Sequence, residues 1–470
     1  MKRNLLLTAL ALTMSATSWA QFTTKGNGTT WTMAALAETQ GSGVSRSDSV
    51  FTMDSTVVVA KGDHFALEGG ITVQMAKSVR LEIVGSASMA PTKRTLFTRK
   101  GTEVPGQVYL QCDNNITLMK NLDFEYVGVK YYGPRGLAVD DCTFRYHEAK
   151  TSGANSSAAA LSVAGNGAVF TVNNCIFEMN KLSAIGGAGN ATNPITVENC
   201  QFIYNDQQNR NYPQLNLTAA SSIIVRNNIV LGDRQKKMGG GIMVADLLGV
   251  AKKDDPHTLI EANDVKDNRY GISVYSGQTA IVRGNRIVNN DSQGQPVNGG
   301  SGINITDAGG SQMTKIMGNY IEGNLWGVTI IGGKDINLGK GDDPDADDYN
   351  PGLNIFVNNG NEGQAYDLYN NSQNIVYAQN NIWASAPTQD AAGIESVIFH
   401  QADDASLGQV IFTPWATQQT VGIDQLTLES QTDSENTQTK IFTLRGTQVS
   451  QLQRGLNIVR QGQHTYKVLH

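Results

Sequence analysis

Charge is scarce in this chain: Asp, Glu, Lys and Arg together make up only 17% of it, and aromatics only 7%. Such thin charge excludes a coiled coil and an acidic disordered tail, which are built on dense charge. Only four cysteines occur, Cys112, Cys142, Cys175 and Cys200. They contain no C-x-x-C pair, so a zinc site is poorly supported. Beyond the first twenty residues no apolar run is long enough to cross a bilayer as a helix. The formal net charge is −6, and a mildly acidic chain is no nucleic-acid binder by charge.

Glycine, at 49 copies, and asparagine, at about 41, are abundant. Both are poor in helix interiors and good in turns, so short strands joined by tight turns are expected. A length of 470 residues would ordinarily mean two or three domains, but a repeat array can use it as one.

Met1-Lys2-Arg3 is a basic head, Asn4 to Met14 is apolar, and Ser18-Trp19-Ala20 fits a small-x-Ala cleavage site. This is the pattern of an export signal removed near Ala20. Losing Lys2 and Arg3 takes the net charge from −6 to −8. No cysteine follows the cut, so a lipid anchor is not expected.

The middle of the chain repeats. Val139-Asp140-Asp141-Cys142-Thr143-Phe144 aligns with Val172-Asn173-Asn174-Cys175-Ile176-Phe177 and Val197-Glu198-Asn199-Cys200-Gln201-Phe202. Weaker copies place Asn228, Asn263, Asn285, Asn319 and Asn381 at the fourth position. The gap from Asn319 to Asn381 is long enough to hide a degenerate copy. A fixed motif at variable spacing implies a fixed cross-section with variable loops. A second motif, as in Gly271-Ile272-Ser273-Val274 and Gly302-Ile303-Asn304-Ile305, reads as a short strand opened by glycine. Such units cannot bury their own apolar face and must stack.

The expected architecture is all-β, a single-stranded right-handed parallel β-helix, or solenoid, with an N-terminal cap and a small C-terminal β tail. Stacking predicts columns. Phe144, Phe177, Phe202, Val230, Val265, Ile287, Ile321 and Trp383 form an inward apolar column. Asn180, Asn205, Asp233, Asn268, Asn290 and Asn324 form a corner column whose amides bond along the axis and whose backbone is left-handed. Glu198, Arg226, Glu261 and Arg283 alternate in sign on successive coils. Cys142, Cys175 and Cys200 share a column, as small buried residues or with one bridge between neighbouring coils.

This pattern resembles the pectin-lyase-like superfamily of right-handed parallel β-helix proteins over roughly residues 100–415. The run from Ala378 to Trp383 and the segment ending at Trp415 look like its closing coils. The expected organisation is a signal peptide at 1–20, a cap with first coils at 21–100, the solenoid at 101–415, a polar linker at 416–440 and a β segment at 441–470. Ile441-Phe442-Thr443-Leu444-Arg445-Gly446 and Gly455-Leu456-Asn457-Ile458-Val459-Arg460 resemble a short type IX secretion sorting signal of Bacteroidetes. That resemblance implies export to the medium or the outer-membrane surface, with secretion machinery as a partner of the tail.

The superfamily holds polysaccharide lyases and hydrolases and many noncatalytic members, so chemistry must come from side chains. The outward strand positions read Asn216, Met243, Ser273, Asn304, Thr329 and Asp367, then Thr218, Ala245, Tyr275, Thr306, Ile331 and Tyr369. One carboxylate and no cation weigh against a lyase centre on this face. Adjacent acids such as Asp140-Asp141 and Asp403-Asp404 point to opposite faces of a strand, unlike a hydrolase dyad. Asp343, Asp345 and Asp347 alternate as in calcium loops, without the glycine and terminal glutamate of an EF-hand; a solvated acidic loop is the competing reading. Lys253 and His257, in the insertion from Leu247 to His257, are the candidate catalytic groups, and Arg234, Lys236 and Lys237 are nearby cations. Tyr275, Trp326, Tyr369 and Arg269 are candidates for holding a glycan. The expectation is a monomeric secreted or surface protein that binds a polysaccharide or is structural, with calcium as the only ion considered. A polysaccharide lyase or glycoside hydrolase acting on an acidic polysaccharide is the alternative.

Overall fold

The computed structural model describes residues 21–417, apart from 113–114, 149–158, 165–167, 188–193, 219–221, 247–257, 276–278, 308–312 and 342, together with 439–443, 448–451, 456–461 and 464–469. The leader, Lys253 and His257 lie outside the described residues. The chain forms two compact units, Met1–Val421 and Gly422–His470.

The first unit is a right-handed parallel β-helix. One face is a fourteen-stranded parallel sheet, from Gln21–Thr23 to Ile398–Phe399. Two further faces are continuous in the early coils, where Thr117–Glu125 and Gly136–Arg145 run through the corner between them. Later coils break there into two strands, as in Val169–Asn173 and Ile176–Glu178.

The break follows from one backbone conformation. At the third motif position Asp141, Asn174, Asn199, Asn227, Gly284, Gly318 and Asn380 have φ between 51° and 61°, a left-handed bend that Asn, Asp and Gly accept readily. The bend turns the fourth residue inward. Asn228, Asn263, Asn285, Asn319, Asn354 and Asn381 are therefore buried and linked coil to coil. In each link the backbone N–H and the side-chain Nδ2 both donate to the Oδ1 of the next asparagine; for Asn263 to Asn285 the distances are 3.0 and 2.9 Å. Nδ2 also donates to a carbonyl of the preceding coil, Val225 at 2.9 Å. Asn354 is the copy hidden in the long gap. Toward the N-terminus the relay passes to Cys200, whose N–H donates to Asn228 Oδ1 at 2.9 Å. All four cysteines are buried, and Cys142, Cys175 and Cys200 are free thiols.

The second relay runs through Asn180, Asn205, Gln214, Asn268, Asn290, Asn324 and Asn359. Here two expectations are corrected. Asp233 is not a member: its corner holds Gly232, which does not take the left-handed bend, so Asp233 turns outward and accepts from Gln207 Nε2 at 3.1 Å. The longer Gln214 spans the gap, accepting from Asn205 and donating to Asn268 at 2.9 Å. The left-handed residue is also not the ladder asparagine but the one before it, as at Met179, Tyr204, Asp267 and Asn289.

The apolar column is buried as expected, and Phe356 joins it. Phe97, Phe124, Phe144, Phe177 and Phe202 stack at centroid separations of 4.8–5.1 Å, and Phe356 lies 4.7 Å from Trp383. On the outside, Arg226 pairs with Glu198 and Arg283 with Glu261, each at 2.7 Å. Glycine opens the strands because the coils meet there: a Cβ on Gly271 would lie 2.4 Å from Gly302 O. At the N-terminal end helix Met33–Glu38 buries Met33 and Leu36, and Glu68 accepts from its first two amides at 2.9 Å. The second unit is a four-stranded antiparallel sheet of Thr439–Thr443, Gln448–Val449, Leu456–Gln461 and His464–Leu469.

Asn268 donates to Asn290, Val230 and Lys266 and accepts from Gln214. Asn268→Leu would strand several buried polar groups, each costing about 1–3 kcal/mol. Thermal denaturation should show a Tm several degrees below wild type; an unchanged Tm would count against the relay as a source of stability.

Candidate functional site

The fourteen-stranded sheet turns its alternate side chains to solvent. Strand register places Asn216, Met243, Ser273, Asn304, Thr329, Tyr369 and Phe399 in one row. Ala245, Tyr275, Thr306, Ile331 and Asn371 form the next. The expected rows ended on Asp367 and Tyr369, so their last members are corrected. The antiparallel pair Gly360–Asn361 and Gln364–Ala365 lengthens the preceding connection, and the strand begins at Leu368. Asp367 is thereby buried and Tyr369 takes the outward place.

Over these rows lies a cleft of about 870 Å³. Its floor is Asn216, Met243, Ser273, Asn304, Thr306, Thr329 and Ile331. Hydrogen bonds within the floor fix it: Asn304 Nδ2 donates to Ser273 Oγ at 3.3 Å, and Ser301 Oγ to Thr329 Oγ1 at 2.9 Å. Asn216 Oδ1 is buried with no hydrogen-bond partner among the described residues. A buried acceptor left unpaired on a cleft floor is a place for a ligand donor or a water.

One wall is aromatic. Trp326 packs against Tyr366 at 4.8 Å and stacks on Tyr369 at 5.0 Å with 20° between planes; Tyr369 meets Phe399 edge-on at 5.0 Å. The indole N–H donates to Pro296 O at 3.0 Å, holding the ring upright while it stays half-buried. The opposite wall comes from loops. Tyr270 packs over Gly240, where a Cβ would lie 2.3 Å from its ring. Arg269 Nε donates to Gln293 Oε1 at 2.6 Å, and its guanidinium also reaches Asn298 O. Burial pulls the Arg269 guanidinium below its ordinary pKa. Asp206 anchors the loop to Tyr212 and Pro213, accepting from the amides of Arg210 and Tyr212 at 3.0 and 3.2 Å. Burial raises its carboxyl to about 6.

Of the four glycan candidates, Arg269, Trp326 and Tyr369 meet in this cleft. Tyr275 stands 40% exposed beside Thr306, outside the wall. Tyr366 joins the three in the cleft: the motif spacing predicts it inward, at the place that Leu368 takes opposite Val328. Arg234 is held by Asp267 at 3.0 Å and Asp291 at 2.8 Å, so it clamps the corner rather than facing the cleft. Asp343, Asp345 and Asp347 are exposed. Asp343 Oδ1 accepts from the Asp345 amide at 3.0 Å, and no group of three or more metal-ligating side chains forms among the described residues. The floor carries no carboxylate, and Glu362 at the rim is exposed. Charge does occur nearer the N-terminus of the same face, at Glu82 and Lys130, with Arg80 3.8 Å from Glu82. Leu81-Glu82-Ile83 and Val129-Lys130-Tyr131 carried that signal in their alternation.

Fold and site define a right-handed parallel β-helix with an open cleft, aromatic on one side and neutral on its floor. No protein-family model matches the chain, and no curated protein does. Among solved structures it is similar to the periplasmic alginate epimerase AlgG, at 11% identity over 83% of each chain with a TM-score of 0.43. It is also similar to the Dettilon tailspike protein, at 11% identity over 76% of this chain and 62% of that one, with a TM-score of 0.25. No residue is carried across at this distance.

Asp367 closes the second asparagine relay beneath the cleft. Its Oδ1 accepts from Asn359 Nδ2 at 3.0 Å and Ser385 Oγ at 2.8 Å, and its Oδ2 has no hydrogen-bond partner among the described residues. Burial raises the carboxyl from 3.8 to about 7. The folded state therefore holds a proton that the unfolded chain has released between these values. Its stabilising effect is complete below about pH 4 and is lost as pH rises to about 7, by about 4 kcal/mol at most. Asp367→Asn should flatten the Tm–pH curve between about pH 4 and about pH 7; a curve parallel to wild type would refute the assignment.

Proposed function

We propose that this protein is exported and binds a polysaccharide in the cleft without cleaving it. The aromatic wall of Trp326, Tyr366 and Tyr369 carries the reading. Flat apolar faces beside a hydroxyl- and amide-rich floor match a sugar ring, which is apolar on its faces and polar at its edge. Arg269, with no carboxylate partner among the described residues, suits an acidic sugar. The uncharged floor supports binding over acid–base chemistry, since both lyase and hydrolase steps need ionisable groups at the bond broken. The leader at 1–20 supports export, and the tail's likeness to a sorting signal supports delivery by secretion machinery to the surface or the medium.

A second reading, a polysaccharide lyase using Lys253 and His257, is favoured by one observation: the strand Gly240–Ala245, which puts Met243 on the floor, leads straight into 247–257. Incubation with acidic and neutral polysaccharides, followed by assay for new unsaturated or reducing ends, separates the two. Turnover lost in Lys253→Ala would establish catalysis and overturn the first reading.

Trp326→Ala should weaken binding about tenfold or more, as loss of a central tryptophan does at other interfaces. Isothermal titration calorimetry with the best ligand of that panel measures it. Wild-type affinity in this variant would move the binding site out of the cleft.

A further inference from the structure

Four consecutive coils place a large side chain where the backbone disfavours one. Tyr126, Tyr146, Met179 and Tyr204 have φ of 65°, 57°, 51° and 56°. Their preceding residues, Glu125, Arg145, Glu178 and Ile203, pair strand to strand, so the four stand above one another at one corner. The next five coils fill that corner with Gly232, Asp267, Asn289, Gly323 and Asn358. Glycine and the Asx residues suit left-handed backbone, whereas tyrosine and methionine are strained in it. The fold thus accepts small residues here, and the first coils bear strain instead. Strain of this kind points to a use for the side chain.

The core does not use them. Tyr146, Met179 and Tyr204 are each 37% exposed. Tyr126 and Tyr146 stack at 5.5 Å with 29° between planes. At the N-terminal end Arg99 lies 3.7 Å over the Tyr126 ring and 3.5 Å from Glu148. Tyr126, Tyr146 and Met179 line a second groove, of about 380 Å³, with Glu148, Lys181 and Gln207. Lys181 forms no ion pair among the described residues.

We propose that this corner ladder is a second binding site, for a glycan strand laid along the solenoid axis. Tyr126 and Tyr146 stack along the axis, so their ring edges, and not their faces, stand outward with Met179 and Tyr204 at the coil spacing, about 4.8 Å; a row of edges at that spacing fits a linear polymer of rings. Polar groups line the same groove as the rings, where sugar hydroxyls would lie. The Lys181 ammonium, which has no ion pair among the described residues, takes the carboxylate of an acidic sugar. The ligand class rests on the reading of the cleft, but none of these residues lines it.

Affinity electrophoresis of the full chain through polygalacturonate, alginate and a neutral β-glucan tests this, with Tyr146→Asn, Tyr204→Asn and Trp326→Ala as variants. Asparagine already holds this corner on other coils, so both tyrosine variants should fold, with a Tm equal to wild type or about 1–2 °C higher. Retardation by a uronate polymer should weaken about threefold or more in each. Unchanged retardation in both overturns the ladder site; if Trp326→Ala then still loses binding, the cleft stands alone. Loss in the tyrosine variants with wild-type behaviour in Trp326→Ala leaves the ladder and removes the cleft. A wild-type chain that no polymer retards removes both. A Tm several degrees lower in the tyrosine variants makes the ladder a packing feature and overturns the proposal.

Discussion

The later coils of the solenoid hang on one bond repeated along an axis: a buried asparagine whose backbone and side-chain N–H groups both meet the Oδ1 of its counterpart on the next coil. A coil has no hydrogen-bonded partner within itself, so its corners would bury unpaired amides. The two relays satisfy those amides where the strands stop. They also set the register, because an asparagine displaced by one residue would point out of the core. Where the relay meets cysteine, a sulfur accepts the amide instead, Cys200 Sγ from the Cys175 N–H at 3.4 Å. There the stacked phenylalanines provide the coherence between coils.

A core that repeats so closely leaves the loops free to differ, and the cleft is a product of that freedom. Its floor is ordinary sheet, made of the outward residues of successive strands. Its walls are coils that depart from the repeat: the anchored turn after Asp206, the segment before Ser301, and the hairpin after Asn359. The last shifts the strand behind it and brings Tyr366 and Tyr369 to Trp326. The same departure buries Asp367 and leaves a raised carboxyl at the end of a neutral relay. Wall and buried acid thus have one origin.

The parts most legible in the sequence were those set by periodicity. The apolar column from Phe144 to Trp383 could be read because each member must face inward once per coil. The missing copy could be anticipated from the gap between Asn319 and Asn381, though not placed, since Pro351-Gly352-Leu353 precede Asn354 where the other copies carry the end of a strand, and that strand, Ile336–Gly339, lies an insertion earlier. Asp233 keeps the spacing of its column, and only the conformation at Gly232 turns it out. Trp326, Tyr369 and Arg269 could be named as ligand-holding residue types, but not as neighbours. The corner tyrosines gave no signal, because a left-handed tyrosine looks in sequence like any exposed one.

The chain by itself determined the class of fold, the stacking direction and which residues are core. These follow from local rules, the two-residue alternation of a strand and the demand that each coil bury one face on the next. The tertiary structure alone decided where function can reside. Loop lengths of different coils determine which side chains meet across 30 or more residues, as Trp326 and Pro296 do and as Gln214 and Asn268 do. No local rule counts those lengths. The scarcity of charge proves uneven, with a neutral floor over the later coils and Glu82, Arg80 and Lys130 gathered on the earlier ones.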